Sequence, residues 1–437
     1  MSVYGIKSLG VYFGAIFLVQ VGLINSIYAS IDVPSSCLSS WTSIDYDNDG
    51  ISDQVENCLA NKHAPVLYLH SDENEFPSSV DWYLQRVNLR FNHDNGCGDE
   101  YVAGGPLPSG MLPNFQHQKM TKNALWYPPF YECVHTSSIV SSNLLNSNSW
   151  TTDHHFFMQP PSADTHRGDF NNQNWKVYSH SYPSGSGIVI EYWYFFPYNT
   201  TDYSSVNHEG DWEHITVKLN GDMNIDLIEY HYHGEDPLVY TANDPQITWF
   251  KGLRGGHPNV FIALGTHASY VDIANCNSYE EHGHTDECNG DPTKRWITWA
   301  GGKGDYYPGK QGYGVVPLGE TNNPYSNYWL LYSGRWGKPG SDIAVTPFGT
   351  LPTAGPRGPA TKLDRWGVRK VMPNGYVVTD GNLSFGGGSD ISAMNLDIYV
   401  YDVAANSTMT FYAGNAVTIS GPHFLVEDGA TLTVSAP

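Results

Sequence analysis

The feature that most constrains the fold is a series of strand-length apolar segments between residues 188 and 264, where no helical pattern of useful length occurs. Strands are predicted over residues 188–196, 212–219, 223–233 and 260–264. Asn220-Gly221 separates the second strand from the third, and this dipeptide is a preferred turn of two-residue hairpins. The pattern predicts a mainly β chain with an antiparallel β-sandwich core and few short helices.

Three further segments flank the predicted core domain, which covers residues 63–370. Residues 1–29 carry Lys7, an apolar run and a small residue at Ala29, the pattern of a secretory signal peptide. Residues 30–62 form a disulfide-tied segment, and residues 371–437 form a small C-terminal β module, either solenoid-like or a sandwich, or an extension of the main sheet. We expect a secreted, extracellular protein without a transmembrane segment after cleavage.

All six cysteines follow the predicted cleavage point, and an even number of cysteines in an exported chain favours disulfides. No C-x-x-C pair is present, which makes a zinc-thiolate site a poor interpretation. Fifteen pairings are possible for six cysteines. Proximity along the chain favours Cys37–Cys58, Cys97–Cys133 and Cys276–Cys288.

The chain is acidic, with 22 Lys and Arg residues against 44 Asp and Glu residues and a formal net charge of −22. Such a chain lacks the basic field that attracts phosphate groups, so nucleic acid is excluded as an expected partner. Divalent cations are the more natural ligands of clustered carboxylates.

Residues 45–56 match the EF-hand-like calcium-loop template at every required position. Side-chain oxygens, one backbone carbonyl and a bidentate glutamate would complete the shell of a Ca²⁺ ion, while Gly50 permits the sharp turn. The predicted ligands are Asp45, Asp47, Asp49, Ile51, Asp53 and Glu56. No long amphipathic helices flank the loop, so we interpret it as a stabilising clip and not as a sensor.

Acidic and imidazole side chains collect at the ends of the predicted core strands. The two-residue period of a strand puts Asp211 and Glu213 on the same face as Ile215, and buried carboxylates need a cation, an arginine or a water-filled cleft. The next strand ends in His231 and His233, which the hairpin would bring near Asp211, and His267 follows another strand. The ligand types suit Ca²⁺, Mg²⁺, Mn²⁺ or a histidine-rich zinc site; the alternative is a satisfied buried hydrogen-bond network.

Five motifs, in this order, resemble the vacuolar protein sorting sixty-two related family. They are His63-Ala-Pro-Val-Leu-Tyr-Leu-His70 with Phe76-Pro-Ser-Ser-Val-Asp-Trp-Tyr83, Tyr194-Phe-Phe-Pro-Tyr-Asn199, His208-Glu-Gly-Asp-Trp-Glu-His214, Gly265-Thr-His-Ala-Ser-Tyr270 and Gly334-Arg-Trp-Gly337. The family name describes a trafficking phenotype and implies little chemistry.

The central motif is also similar to the heptapeptide Gly-His-Arg-His-Asp-Trp-Glu of the necrosis- and ethylene-inducing-peptide-like cytolysins. In that family the heptapeptide lies at a divalent-metal pocket that engages sphingolipid head groups. The resemblance implies a core metal pocket with His208, Asp211, Glu213 and Asn199 as ligands. Glu209 and Gly210 differ from the cytolysin motif, and Asn199 stands where the cytolysins carry an aspartate.

These observations favour a secreted, metal-dependent glycan or glycolipid binding protein of toxin-like type, in which a second divalent cation, Ca²⁺, Mg²⁺ or Mn²⁺, bridges to a glycan or sphingolipid-type head group and peripheral membrane contact follows. The expected ligand-binding residues are Trp212, His214, His231, His233, His267 and Tyr270.

Two alternative functions stay open. One is a metal-dependent hydrolase of an extracellular ester, phosphodiester or glycoside with Glu213, His231 or His267 as general base, although no G-x-S-x-G nucleophile motif is present. The other is a calcium-stabilised adhesive or structural surface protein.

Overall fold

The computed structural model describes residues 37, 45, 51–93, 99–122, 133–145, 155–184, 187–201, 207–233, 236–252, 254–281, 284–300, 302–303, 315–319, 324–340, 344–346, 349–351, 354–361, 390–398, 401–403, 408–419, 424–426 and 431–435. No helix within these ranges has the length and apolar character needed to cross a bilayer. The predicted signal peptide, Asp47, Asp49 and Cys97 lie outside the described residues.

Helices are short and few in the described ranges. The α-helices are α1 (Asp53–His63), α2 (Val80–Leu84), α3 (Ala163–His166) and α4 (Ile273–Ser278). Single 3₁₀ turns cover Ser109–Asn114, Asn172–Asn174, Phe250–Gly252, Pro292–Lys294, Thr298–Ala300, Tyr328–Leu331 and Pro359–Thr361.

Strands make up most of the regular structure. In chain order they are β1 (Val66–Tyr68), β2 (Asn88–Phe91), β3 (Glu100–Ala103), β4 (Gln116–Lys122), β5 (Cys133–Ser141), β6 (Phe156–Gln159), β7 (Val177–Ser184), β8 (Gly187–Asn199), β9 (His208–Leu219), β10 (Ile225–Tyr230), β11 (Leu238–Thr241), β12 (Asn259–Ile262), β13 (Ser269–Tyr270), β14 (Glu280–Glu281), β15 (His284–Thr285), β16 (Arg295–Ile297), β17 (Gly302–Lys303), β18 (Val315–Leu318), β19 (Ala344–Thr346), β20 (Gly349–Leu351), β21 (Asp390–Ile398), β22 (Tyr401–Val403), β23 (Thr408–Ile419), β24 (Phe424–Val426) and β25 (Thr431–Ser435).

The central layer is a six-stranded sheet in the order β11-β10-β9-β8-β7-β18. Its strands from β7 to β11 pair antiparallel, and β18 pairs parallel with β7. The long central strands β8 and β9 are almost fully buried, because apolar layers cover both faces of this sheet. The predicted mainly β, antiparallel sandwich is thereby confirmed.

A five-stranded sheet, in the order β13-β12-β1-β16-β17, packs on one face of the central layer. The first core lies between them and includes Ile190 and Val217 from the central sheet and Val66 and Val260 from its partner. Leu59 on α1 packs into the same core. Each fully buried aliphatic side chain of this kind contributes about 1.5–3 kcal/mol to the hydrophobic stabilisation.

A third layer covers the opposite face of the central sheet. It contains the small antiparallel sheet β3-β2-β6 together with α2 and the 3₁₀ turn Tyr328–Leu331. The second core is unusually aromatic: Trp212 lies 5.5 Å from Trp329 and 5.1 Å from Trp336 between ring centroids. Tyr83 donates a 2.6 Å hydrogen bond to the Trp336 carbonyl, so three of the family-like motifs meet in this core.

The two-residue period of a strand predicts that Ile225, Leu227, Glu229 and His231 share one face of the central sheet, and the structure contradicts this prediction. A β-bulge between Ile225 and Leu227 shifts the register of β10, so Ile228 and Tyr230 face the first core. Glu229 consequently lies on the other face, where its carboxylate forms an ion pair with the Lys218 ammonium at 2.7 Å. An inserted residue reverses the facing of every side chain that follows it, and the two-residue period alone gave no sign of the insertion.

Two of the three predicted disulfides are present in the described residues, Cys37–Cys58 and Cys276–Cys288. In the C-terminal module, β21, β23 and β25 form one parallel sheet and β22 and β24 a second parallel pair. Strands that alternate between two parallel sheets along the chain are typical of a β-solenoid.

Candidate functional site

The site lies where β8 ends and β9 begins. These strands pair antiparallel, with Phe196 opposite Asp211 and Asn199 opposite His208. The two-residue period of β9 puts Asp211 on the face of Ile215, as the sequence predicted, and only 5% of Asp211 is exposed. A carboxylate buried in this way requires strong partners.

Asp211 meets His267, which lies in the turn between β12 and β13. The His267 Nδ1–H donates a 2.8 Å hydrogen bond to Asp211 Oδ2, and Nε2 lies 3.6 Å from Glu73 Oε2. The imidazole is fully buried and stacks on Phe196, with 3.7 Å between ring centroids and 4° between ring planes. A histidine therefore links two buried carboxylates from different segments, and we name Glu73, His267 and Asp211 the buried triad.

The two carboxylates keep the imidazole charged. Burial opposes a charge on His267, but the charge of Glu73, the hydrogen bond to Asp211 and the charge of Asp211 outweigh it and raise the pKa of His267 to about 10. Burial likewise opposes the charge on Glu73, but His267 and two backbone N–H groups lower its pKa to about 2. At neutral pH, Glu73 is therefore a carboxylate and His267 an imidazolium.

Glu73 also organises the chain around it. Its Oε1 accepts hydrogen bonds from the backbone N–H of Asn74 (2.8 Å) and Glu75 (2.9 Å), and its Oε2 accepts one from Gly265 (2.9 Å). The Gly265 carbonyl in turn accepts a 2.9 Å hydrogen bond from the Thr200 N–H. One buried carboxylate thus connects the loop after β1, the loop after β12 and the end of β8.

Those same three segments line an acidic cleft of about 400 Å³. Its described lining residues include no lysine or arginine; they are Asp72, Asn74, Glu75, Thr200, Thr201, Leu264, Gly265, Thr285 and Glu287. Glu75 is half-buried, and burial together with the neighbouring Glu73 carboxylate raises its pKa. Glu73 and the cleft are not among the sites predicted from the sequence, although Asp72, Glu73 and Glu75 follow the strand β1, which pairs with β12 just before His267.

Another buried carboxylate, Asp286, contacts two of the predicted ligand-binding residues. Tyr270 donates a 2.6 Å hydrogen bond to Asp286 Oδ2, and His233 Nε2 lies 2.6 Å from the same oxygen. Thr266 donates to Asp286 Oδ1 at 2.8 Å. The expectation that His233 approaches Asp211 is therefore wrong, because Asp286 holds the His233 ring instead.

Trp212, His214 and His231 point away from Asp211, into the second core. The rings of Trp193, His214 and His231 stack across three neighbouring strands, at centroid distances of 3.9 and 3.8 Å. Thr216 lies 3.1 Å from His231 Nε2. Trp212 is fully buried and His214 and His231 are at most 4% exposed, and none of the three is among the described residues that line the acidic cleft. Their role in ligand binding stays a prediction.

The four predicted ligands of the core metal pocket are only partly brought together. His208 Nδ1 donates a 2.8 Å hydrogen bond to the Gly210 carbonyl, which leaves Nε2 as the basic nitrogen of the neutral ring. The Asn199 amide nitrogen donates to the Thr266 carbonyl at 3.3 Å. One group of three histidine and carboxylate side chains in the described ranges has ligand atoms within 4.8 Å of one another, and it contains none of His208, Asp211 and Glu213. A metal site formed by these three residues therefore stays a prediction.

The calcium loop is described at four of its six predicted ligands. Asp53 and Glu56 both lie in the first turn of α1, and the Tyr325 hydroxyl donates to a carboxylate oxygen of each at 3.2 Å. Glu56 is 4% exposed, which is unusual for a glutamate in a solvated acidic turn. The two carboxylates therefore share the Tyr325 hydroxyl as a partner. Calcium binding by the loop stays a prediction.

Replacing Gly210 by alanine should destabilise the protein by about 3 kcal/mol. Gly210 has φ +68°, and a Cβ there would lie 2.5 Å from the Trp336 carbonyl oxygen. Backbone strain and overpacking each cost about 1–3 kcal/mol. Gly252 is the matched control, because its φ is +70° and a Cβ would meet nothing within 4 Å. Urea unfolding should give a loss of only about 1 kcal/mol for Gly252→Ala; equal losses for both variants would contradict the role of Trp336.

Comparison with known proteins finds the same family that the five motifs resemble. The family described as vacuolar protein sorting-associated protein 62 matches residues 2–116. The chain therefore resembles this family, as the motifs predicted.

Two particular relatives come from Saccharomyces cerevisiae. The putative vacuolar protein sorting-associated protein TDA6 is 24% identical over 345 residues, covering 69% of this chain and 66% of the yeast protein. Vacuolar protein sorting-associated protein 62 is 22% identical over 313 residues, covering 63% of this chain and 58% of the yeast protein. The chain thus spans less than two thirds of either relative's length.

Among solved structures, NLPPya in complex with glucosamine matches with 13% identity and a TM-score of 0.28, covering 66% of this chain and 81% of that one. Necrosis and Ethylene inducing Protein 2, from the causal agent of cocoa's Witches Broom disease, matches with 13% identity and a TM-score of 0.27, covering 62% of this chain and 76% of that one. Both groups predicted from the motifs are therefore among the proteins to which this chain is similar.

Proposed function

We propose that this protein binds the hydroxyl-rich head group of a glycan or glycolipid in the acidic cleft. The observation that carries the proposal is the composition of the cleft wall: three carboxylates, three threonines and an asparagine around about 400 Å³. Carboxylate, hydroxyl and amide groups are the partners that sugar hydroxyls need, and this volume lies within the range of small-molecule sites. The buried triad fixes the backbone of two cleft segments, so the site is preorganised.

The triad favours binding over hydrolysis. A general base must be unprotonated at working pH, whereas two carboxylates raise the pKa of His267 to about 10. His231, the other histidine considered as a base, is buried in the second core against His214. The described histidines of the predicted site therefore serve structure, and the cleft itself offers acceptors and hydroxyls.

The proposal includes cation dependence and export. Carboxylate oxygens are the donors that Ca²⁺ takes, and a cation held by Asp72, Glu75 and Glu287 would attract sugar hydroxyls. The calcium loop of residues 45–56 is a separate clip, supported by the convergence of Asp53 and Glu56. Export is supported by the disulfides Cys37–Cys58 and Cys276–Cys288, because disulfides persist in oxidising compartments.

Glucosamine binding, measured by isothermal titration with 2 of the cleft carboxylates altered in turn, tests the proposal. Glu75→Gln and Glu287→Gln should each weaken binding about 10-fold or more, since a hydrogen bond to a charged group contributes about 1.5–3 kcal/mol. Asp226→Asn is the control, because Asp226 is an exposed carboxylate at the opposite end of the central sheet. Unchanged affinity in both cleft variants would refute the assignment of the cleft.

To test cation dependence, the glucosamine titration is repeated in Ca²⁺ and in EDTA, and the metal content of the dialysed protein is measured by elemental analysis. Calcium bridging predicts binding in Ca²⁺ that EDTA abolishes. Asp53→Asn should remove the ion of the loop while glucosamine binding persists. Binding that EDTA leaves intact would retain the glycan proposal and refute its cation dependence. Vesicles with and without glycosylated sphingolipid then distinguish a membrane-borne head group from a soluble sugar.

A further inference from the structure

A different group of titratable side chains lies on the third layer, on the edge of the β3-β2-β6 sheet. His93 follows β2, Glu100 begins β3 and His117 is the second residue of β4. The ligand atoms of these three side chains lie within 4.8 Å of one another. No function was predicted for this region from the sequence. The three residues lie far apart along the chain, and their spacing matches no known metal-binding motif.

Both imidazoles point at one carboxylate oxygen. His93 Nε2 lies 3.0 Å and His117 Nε2 2.9 Å from Glu100 Oε2. The two rings are 4.9 Å apart between centroids and inclined at 64°. The two Nε2 atoms and the carboxylate therefore surround one small volume.

Aromatic packing holds the two imidazoles in place. His117 stacks on Phe91 at 4.1 Å and 14°, and His93 lies 5.0 Å from the same ring. The side chains of His93 and His117 are 1% and 11% exposed, whereas that of Glu100 is 47% exposed. The histidines thus form the rigid inner part of the cluster, and Glu100 is its adjustable, solvent-facing part.

We propose that His93, His117 and Glu100 bind a divalent transition-metal ion of the zinc class. Two imidazole nitrogens and one carboxylate form a ligand set that zinc takes in proteins with three side-chain ligands and a water molecule in the fourth position. Alkaline-earth ions prefer all-oxygen sites, so the two imidazoles separate this site from the calcium loop and from the acidic cleft. The half-exposed Glu100 side gives the ion and its water a route from solvent.

The distances agree with this assignment. In a tetrahedral zinc site with metal–ligand bonds of about 2.0–2.1 Å, neighbouring ligand atoms are about 3.3 Å apart. The two nitrogen–oxygen distances here are 3.0 and 2.9 Å. For these two nitrogen–oxygen pairs, an ion requires the Glu100 carboxylate to withdraw by only a few tenths of an ångström, and Glu100 is the most exposed member of the cluster.

Metal binding would link two parts of the third layer that do not pair with each other. β2 pairs with β3 and with β6, whereas β4 pairs with β5 in a separate hairpin. An ion shared by His93, Glu100 and His117 would join that hairpin to the third-layer sheet. Because the ion binds only the folded arrangement, it should also raise the unfolding temperature, and above the Kd this rise should follow the logarithm of the free ion concentration.

The experiment is zinc titration of the full chain, first freed of metal with chelator and then kept in excess Ca²⁺ so that all-oxygen sites are filled. Wild type should bind one Zn²⁺ per chain in competition with a chromophoric chelator. Substituted Co²⁺ should show visible bands of the intensity expected for four ligands. His117→Gln should weaken zinc binding at least about 100-fold and Glu100→Gln at least about 10-fold, because even outer-shell partners are worth about 10–100-fold.

His166→Gln is the matched control, since His166 lies 3.6 Å from Glu209 as a single imidazole–carboxylate pair. It should leave zinc affinity unchanged. Circular dichroism reports folding, and Glu100→Gln decides the outcome if the histidine variant is unfolded, because Glu100 is half-exposed. Absence of a stoichiometric zinc site in Ca²⁺, or wild-type affinity in Glu100→Gln, would overturn the proposal and show a plain hydrogen-bond cluster.

Discussion

Replacing Glu73 by glutamine is expected to lower the free energy of unfolding by about 3–5 kcal/mol, the cost of removing one partner from a buried ion network. Glu73 is fully buried and accepts three backbone hydrogen bonds in addition to its contact with His267. Glutamine has the same shape but brings an NH₂ group to face N–H donors. It also leaves the His267 imidazolium with one carboxylate in place of two. Urea unfolding followed by tryptophan fluorescence measures the loss.

Glu229→Gln is the control for the same chemical change in an ion pair that is open to solvent on one side. Glu229, 17% exposed, pairs at 2.7 Å with Lys218, which is 39% exposed. Solvent screens such a pair, which contributes about 0–1 kcal/mol, so this variant should stay within about 1 kcal/mol of wild type. If Glu73→Gln behaved like Glu229→Gln, the charge on Glu73 would be irrelevant to stability. The buried triad would then be an ordinary hydrogen-bond network.

The same substitution should also disturb the cleft. Glu73 holds the N–H groups of Asn74 and Glu75, which lie on the rim, and that of Gly265 at the back. A residue that does not touch the ligand therefore positions several that do. This connection explains why a strongly charged group lies fully buried beneath a site built from hydroxyls and carboxylates.

Much of the fold could be predicted from the sequence, because a strand is recognised from the pattern of apolar residues within a short segment. The apolar segments 188–196 and 212–219 predicted two buried strands, and the two-residue period gave the correct face for Asp211. The Asn220-Gly221 dipeptide marked the turn that joins β9 to β10. Disulfide pairs closing short loops were likewise readable, and Cys37–Cys58 and Cys276–Cys288 are present.

The site was harder to predict because it depends on contacts between distant segments. Glu73 and His267 meet because β1 and β12 pair parallel, which brings the ends of both strands to one edge of the second sheet. No local pattern specifies which strands become parallel neighbours. The β10 bulge had the same effect in reverse, since one inserted residue moved Glu229 and His231 off the predicted face.

Above neutral pH, the stability of the protein is expected to fall by about 1.4 kcal/mol per pH unit between about pH 7 and pH 9, because of His267. The folded protein raises the pKa of His267 from 6.5 to about 10. In this window the folded ring therefore keeps its proton while the unfolded ring has lost it. The stabilisation is fully present below pH 6.5 and is lost as the pH rises towards 10. Urea unfolding at a series of pH values measures the slope.

Three other buried histidines titrate below this window. Burial lowers the pKa of His63 and His155 to about 3 and that of His257 to about 4, so these three make stability rise with pH up to about 6.5. Glu73, with its pKa lowered to about 2, makes stability depend on pH mainly below its ordinary pKa of 4.5. His267→Gln should therefore remove about 1.4 kcal/mol per pH unit from the slope between pH 7 and pH 9, whereas His257→Gln should keep the wild-type slope. Equal slopes in wild type and His267→Gln would show that the ring is neutral and that the triad carries no imidazolium.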